Sequence, residues 1–412
     1  MPDANRVLIL QEDRLVTRLP LFNRRRVTSC LLATVAIAPF TSRAAPRLAH
    51  AEKLDDASRA VIERFASLGM RNAVATYAAY PELAKAMLPY SEFLLTRSTL
   101  PARQRELLWL RAAWLTRSDY MWAQRAPAAR SAGLTAVEIQ RIALGPDAAG
   151  WKPFEATLLR AVDELHVDSV VSDATWAKLA AQYDDNQLID LLYGVGEITM
   201  HADFANTLRI EIEPELVDRL PSGITYAPAA RQTNARRIGR RARITPLPAT
   251  GGGLGNTNAF RTFARNPPVD ALRNAQGNHI RGSNSLVPIN RQLVIMRTAV
   301  LNRAEYEWAA HSRGGRQVGM DDAAVARVIT GPTAEGSTVP ERLLLKAVDD
   351  LYRDDLIDDA TCDALISEFS EQQLLDTLFT VGAFRSAAYA INSAGVQLDS
   401  NMGDFRFPPQ LR

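Results

Sequence analysis

Residues 105–115, RELLWLRAAWL, and residues 291–301, RQLVIMRTAVL, decide the fold. In each, apolar side chains recur at intervals of three and four, the period that gathers them on one face of an α-helix. The two stretches stand 186 residues apart (291 − 105), and the same displacement carries Pro81 onto Pro267, Arg111 onto Arg297, and Tyr120 and Trp122 onto Tyr306 and Trp308. Further along it superposes Gly145-Pro146 on Gly331-Pro332, Ala161-Val162-Asp163 on Ala347-Val348-Asp349, Asp173-Ala174-Thr175 on Asp359-Ala360-Thr361, and Val195-Gly196 on Val381-Gly382. Self-similarity at one displacement, ungapped over about 140 residues, marks a repeated domain. The copies are residues 50–216 and 244–400.

The rest of each copy is helical in pattern as well. FEATLLRAVDEL (154–165) and ERLLLKAVDDL (341–351) keep the same spacing. Thr135 and Asp321 stand where helix N-caps belong, Gly145-Pro146 and Gly331-Pro332 where helices stop, and Asp173 and Asp359 are expected to cap two later helices. No stretch alternates with the strand period. The expected fold class is all-α, with about six helices in each copy. Residues 217–243 are rich in Pro, Gly and Arg, with Arg236, Arg237, Arg240, Arg241 and Arg243 close together, and read as an exposed linker. Residues 401–412 read as a tail.

A chain of 412 residues has room for two or three cores. Its 47% apolar and 23% charged residues describe a soluble globular body, and a net charge of +2 gives no reason to expect nucleic acid. Cys30 and Cys362 are the two cysteines, which excludes a disulfide framework and a thiolate zinc site. In residues 1–49, Arg24, Arg25 and Arg26 precede an apolar run from Cys30 to Phe40 and small residues at Ser42, Ala44 and Ala45. These are the parts of an export signal of twin-arginine type, with an apolar run too short to span a bilayer, and they point to a periplasmic or secreted protein. The alternative is a disordered extension on a cytoplasmic one. GGGLGN (251–256) follows no strand, so no nucleotide cofactor is expected. Glu307/His311 and Glu197/His201 each offer two ligands on a helix but no third, so no metal is expected either. His50, His166 and His279 carry no partner signal.

LPARQREL (100–107), YEWAAH (306–311) eight residues before Gly319, a helix ending in Gly-Pro, DATW (173–176) and a late Val-Gly together resemble the carboxymuconolactone decarboxylase family, which shares its all-helical fold with the AhpD alkylhydroperoxidases. The resemblance covers both copies. It implies two AhpD-like domains paired as a pseudo-dimer, association into homo-oligomers, and a small-molecule substrate. In the peroxidase branch the motif is CxxCxxxH, with a glutamate twelve residues earlier. His311 takes the histidine position, Glu307 and Ala304 those of the cysteines, and Gln292 that of the glutamate; in the first copy these are Arg125, Met121, Ser118 and Glu106. Both copies lack the redox thiols, so peroxide reduction through a disulfide is not expected.

What remains is acid/base equipment. Glu307 and His311 are four apart, so on a helix they share a face. A carboxylate beside an imidazole favours the imidazolium and fixes its tautomer, as a general acid or base near neutral pH requires. The expected catalytic residues are His311 as proton shuttle, Glu307 to orient it, Tyr306 as phenol donor, and Glu106 reaching across from the first copy. Arg125, Trp308, Arg297 and His201 are the expected substrate contacts, although Trp308 also reads as core and His201 with Glu197 as a solvated helix pair. The activity expected is a cofactor-free lyase or isomerase acting on a small organic acid or lactone, in the manner of a decarboxylase. A non-catalytic helical binding or assembly module is the alternative, and a thiol-dependent antioxidant role comes third.

Overall fold

The computed structural model describes residues 46–48, 55–225 and 241–411. The expected export signal, His50 and three of the linker arginines (Arg236, Arg237 and Arg240) lie outside them. The first copy comprises α1 (Asp56–Phe65), α2 (Arg71–Ala78), α3 (Pro81–Arg97), α4 (Ala102–Leu115), α5 (Asp119–Ser131), α6 (Ala136–Leu144), α7 (Pro153–Asp168), α8 (Asp173–Ala180) and α9 (Asp185–Leu208). The second comprises α10 (Asn258–Phe263), α11 (Pro267–Gly282), α12 (Pro288–Leu301), α13 (Glu305–Gln317), α14 (Asp322–Thr330), α15 (Val339–Asp354), α16 (Asp359–Glu368) and α17 (Glu371–Ala394). The fold is all-α, with no strand among the described residues. Helices α4 to α7 and α9 recur as α12 to α15 and α17 with both ends displaced by the same 186 residues that relate the sequences. Six helices per copy is an undercount: nine form in the first copy and eight in the second among the described residues.

Local chemistry sets the helix ends. Thr135 accepts from Glu138 N while Glu138 returns to the Thr135 backbone, a capping box that opens α6; Asp321 accepts from Ala324 N and opens α14. Both helices stop at glycines with positive φ, 90° at Gly145 and 97° at Gly331, where a Cβ would be strained. Asp173 and Asp359 are not the caps of α8 and α16. Ser172 and Asp358, one residue earlier, accept those backbone bonds. The freed carboxylates instead form ion pairs: Asp173 with Arg243, Asp359 with Arg47 and Arg209.

Helices α9 and α17, both almost wholly buried, lie against each other at the centre. Leu191, Leu192, Leu375 and Leu378 are fully covered there, each contributing about 2 kcal/mol by leaving water. Gly196 faces Ser386 and Gly382 faces Met200, and a Cβ on either glycine would collide with its partner. The displacement that relates the copies takes Gly196 to Gly382 and Met200 to Ser386. Polar contacts between the copies are returned in the same way. Asn206 Nδ2 donates to the carbonyls of Thr116 (2.8 Å) and Asp355 (3.2 Å), and Asn392 Nδ2 to those of Asn302 (3.0 Å) and Ser169 (3.1 Å). Val171 N donates to Ser393 Oγ and Ile357 N to Thr207 Oγ1, each at 3.0 Å. Residues beyond 400 do more than trail: Phe407 is buried against Trp308, ring centroids 5.6 Å apart.

Candidate active site

Helix α13 places Glu307 and His311 on one face, one turn apart, with Glu307 Oε2 3.6 Å from His311 Nε2. That is beyond hydrogen-bond reach. The other ring nitrogen, Nδ1, is 2.9 Å from Oε1 of Gln292 on α12. An amide oxygen only accepts, so Nδ1 carries the hydrogen and the lone pair of Nε2 is turned towards Glu307. The edge of the ring meets Phe384 on α17, at 4.8 Å between centroids.

Both side chains open on a cavity of about 270 Å³ enclosed by α10, α11, α13 and α17, with Tyr193 of α9 closing one side. Phe260, Phe263, Ile280 and Phe384 make its apolar wall; Asp270, Arg273, Gln276 and Arg281, all from α11, join Glu307 and His311 on its polar side. Burial pushes the Glu307 carboxyl up to about 7, an effect that Arg273 partly offsets. Burial, with the charges of Arg281 and Arg291, pushes His311 down to about 4, although 22% of its side-chain surface stays open, which tempers the shift. The pair therefore meets near neutrality as a carboxyl about to lose its proton and an uncharged imidazole. Spacing alone leads to a carboxylate that charges the imidazole; burial reverses that expectation.

The other expected site residues are held elsewhere or otherwise. Tyr306 lines the cavity with its ring, but its hydroxyl donates to Asp399 Oδ2 (2.6 Å) and accepts from Ala259 N (3.4 Å). Tyr120 in the first copy does the same with Glu213 (3.0 Å) and Ala73 N (3.3 Å). The phenol is a tie between α13, α10 and the chain after α17, and its proton is already engaged. Trp308 is core and does not line the cavity. Glu106 and Arg125 neutralise each other through two hydrogen bonds of 2.5 and 3.0 Å, with the guanidinium over the Trp109 ring, and neither reaches the cavity of the second copy. Arg297 clamps Asp349 (2.6 and 2.8 Å) and the carbonyls of Val328 and Ile329, as Arg111 clamps Asp163 and the carbonyls of Ile142 and Ala143. It holds the end of α14 and does not line this cavity.

His201 is buried rather than solvated. Its Nε2 is 2.7 Å from Ser91 Oγ and its Nδ1 3.2 Å from the Tyr77 hydroxyl, while Ser91 also donates to Glu197 at 2.9 Å. His279 finds a buried partner in Asp376, at 2.8 Å. Sequence reasoning passed over Asp270, Arg273, Gln276, Arg281 and Tyr193. A signal was present for the four on α11: their counterparts in the first copy are Ala84, Met87, Tyr90 and Leu95, so one copy places polar groups where the other places core. Among the described residues no group of three or more His, Cys, Asp or Glu side chains is disposed to hold a metal.

The family model described as Carboxymuconolactone decarboxylase family matches the chain twice, at residues 81–164 and 267–350. Those matches span α3 to α7 and α11 to α15, and so include Gln292, Glu307, His311 and the polar face of α11. No significant match was found among curated proteins or solved structures. The two matches lie at the displacement seen in sequence and structure alike, and the chain carries two tandem segments of the carboxymuconolactone decarboxylase family.

Proposed function

We propose that the second copy is a cofactor-free acid/base enzyme, a lyase or isomerase of the decarboxylase kind, for a small organic acid, lactone or similar carbonyl compound. The observation that carries this reading is that Glu307 and His311 face one cavity together with an arginine. A carboxyl that titrates near 7 is matched to proton delivery at neutral pH, and an uncharged imidazole with a fixed tautomer is matched to proton removal. Gln292, rather than Glu307, orients the ring. In a decarboxylation the bond to the carboxyl carbon breaks, carbon dioxide leaves, and the electron pair passes into an enolate-like system beside Arg273. A proton from Glu307 then reaches carbon, and the carboxylate left behind regains one from solvent, since the uncharged His311 turns a lone pair and not a proton towards it. In an isomerisation, His311 Nε2 takes the proton and Glu307 supplies one at the new position. The reciprocal contacts across α9 and α17 support the further reading that the copies form a pseudo-dimer about an approximate two-fold axis.

The test is a screen of the purified protein against carboxylated lactones and β-keto acids, following carbon dioxide release and absorbance, with His311→Ala and Glu307→Gln as controls. Turnover should fall by about 10²-fold or more in each variant. No turnover in the wild type, or equal turnover in His311→Ala, removes the reading. Saturable binding of these compounds without turnover would instead favour a binding module.

A further inference from the structure

Most arginines that turn inward in this chain meet a carboxylate. Arg111 has Asp163, Arg125 has Glu106, Arg297 has Asp349 and Arg385 has Asp355. Arg273 does not. It is half-buried on α11 and lines the cavity, yet its hydrogen bonds go to neutral acceptors, Nη1 to Gln276 Oε1 at 2.5 Å and Nη2 to the Ala383 carbonyl at 2.9 Å. A guanidinium has five N–H donors, so donors remain, and a partly desolvated cation without a counter-charge is unfavourable until an anion joins it.

The hydrogen-bond acceptors of Arg273 belong to its own copy, but the rings it lies over and the group that orients Gln276 come from the other. Its guanidinium lies 4.7 Å from the ring centroid of Tyr193 and 6.0 Å from that of Tyr90, both on first-copy helices. Gln276 turns its carbonyl to Arg273 because its amide nitrogen is drawn to Glu197 Oε2, at 3.5 Å, while Glu197 Oε1 accepts from Ser91. An acceptor-only carboxylate permits one orientation of that amide, the one that presents oxygen to the arginine. In the first copy the counterpart of Arg273 is Met87, so nothing equivalent exists there.

We propose that Arg273 binds the carboxylate end of the substrate, and that the first copy positions it through Tyr193, Tyr90 and the Glu197–Gln276 link. This rests on the reading of the same cavity as the acid/base site, and it gives the copy without that site a part in the chemistry. Glu197 is a positioning residue, since it acts through Gln276 and touches no ligand.

Benzoate and benzamide, planar rings that suit the aromatic wall and differ in charge, are the probes. Calorimetric titration of the full chain at pH 6, where benzoate is ionised and the Glu307 carboxyl keeps its proton, should show benzoate binding at least about ten-fold more tightly than benzamide, the worth of a charge-assisted hydrogen bond. Arg273→Gln should bring the ratio to about one, Arg273→Lys should keep part of it, and Glu197→Gln should lower it several-fold with helix content unchanged. A merely structural defect weakens both probes alike and leaves the ratio where it was. Absence of a benzoate preference in the wild type, or an unchanged ratio in Arg273→Gln, overturns the proposal; an unchanged ratio in Glu197→Gln overturns the role of the first copy. These ratios need no turnover, so their failure is distinct from failure of the acid/base reading.

Discussion

The two copies share a backbone plan and differ in what fills it. Where the second has Arg273, Glu307, His311, Ala383 and Ala387, the first has Met87, Met121, Arg125, Glu197 and His201. Two small residues on α17 and polar groups on α11 and α13 leave a cavity in one copy. In the other, the equivalent positions carry buried Met87 and Met121 and the His201 network. What both keep is the frame: the tyrosine tie at Tyr120 and Tyr306, the arginine clamp at Arg111 and Arg297, and the reciprocal asparagines at the α9/α17 crossing. Shared residues therefore report packing, and differences report chemistry.

The largest effect expected from that division lies in the first copy. Glu106→Ala leaves Arg125 buried without a counter-charge, and should lower stability by about 3–5 kcal/mol in denaturant unfolding, without altering ligand binding in the second copy. A loss of binding at full stability would show that Glu106 belongs to the site after all. Next come the paired glycines. Gly196→Ala drives a Cβ to within 2.6 Å of Ser386 Cα, which is backbone, and Gly382→Ala drives one to within 2.7 Å of Met200 Cβ, which no rotamer change can move. Overpacking costs about 1–3 kcal/mol, and both should fall in that range, Gly196→Ala above Gly382→Ala because Ser386 presents its Cα, read from unfolding midpoints. Equal losses would mean that the crossing is more symmetric than these contacts suggest.

Much of the frame was legible before the structure. A fixed displacement, a period of 3.6 and Gly-Pro stops identify two helical copies, because those signals are local or repeat along the chain. The cap assignments missed by one residue, since Ser172 and Asp173, or Asp358 and Asp359, are equally good oxygen acceptors in sequence. The site was half legible. The spacing of Glu307 and His311 gave the pair, but not its charge state, which depends on burial. Arg297 looked like a substrate arginine because nothing in the sequence says that Asp349 stands beside it. Arg273 was passed over because its neighbours come from helices far away in the chain.

The smallest effect expected is a dependence on pH at the Glu307 position, which the first copy, with Met121 there, does not share. Glu307 is raised from 4.5 to about 7, so the folded state binds its proton more tightly than the unfolded chain does. The resulting stability is fully present below about pH 4.5 and is lost as pH rises through about 7. His311 runs the other way: lowered from 6.5 to about 4, it contributes above pH 6.5 and loses that contribution as pH falls through about 4. Glu307→Gln keeps the size and removes the titration. At pH 8.5 it should be the more stable of the two, and at pH 4.5 they should coincide. Met121→Gln, the same replacement at the first-copy position, should show one constant offset across that range, because no proton is exchanged there. Parallel curves for Glu307→Gln and the wild type would mean that the carboxyl is ionised in the folded chain, and the proton donor would then have to be sought among the other polar groups of the cavity.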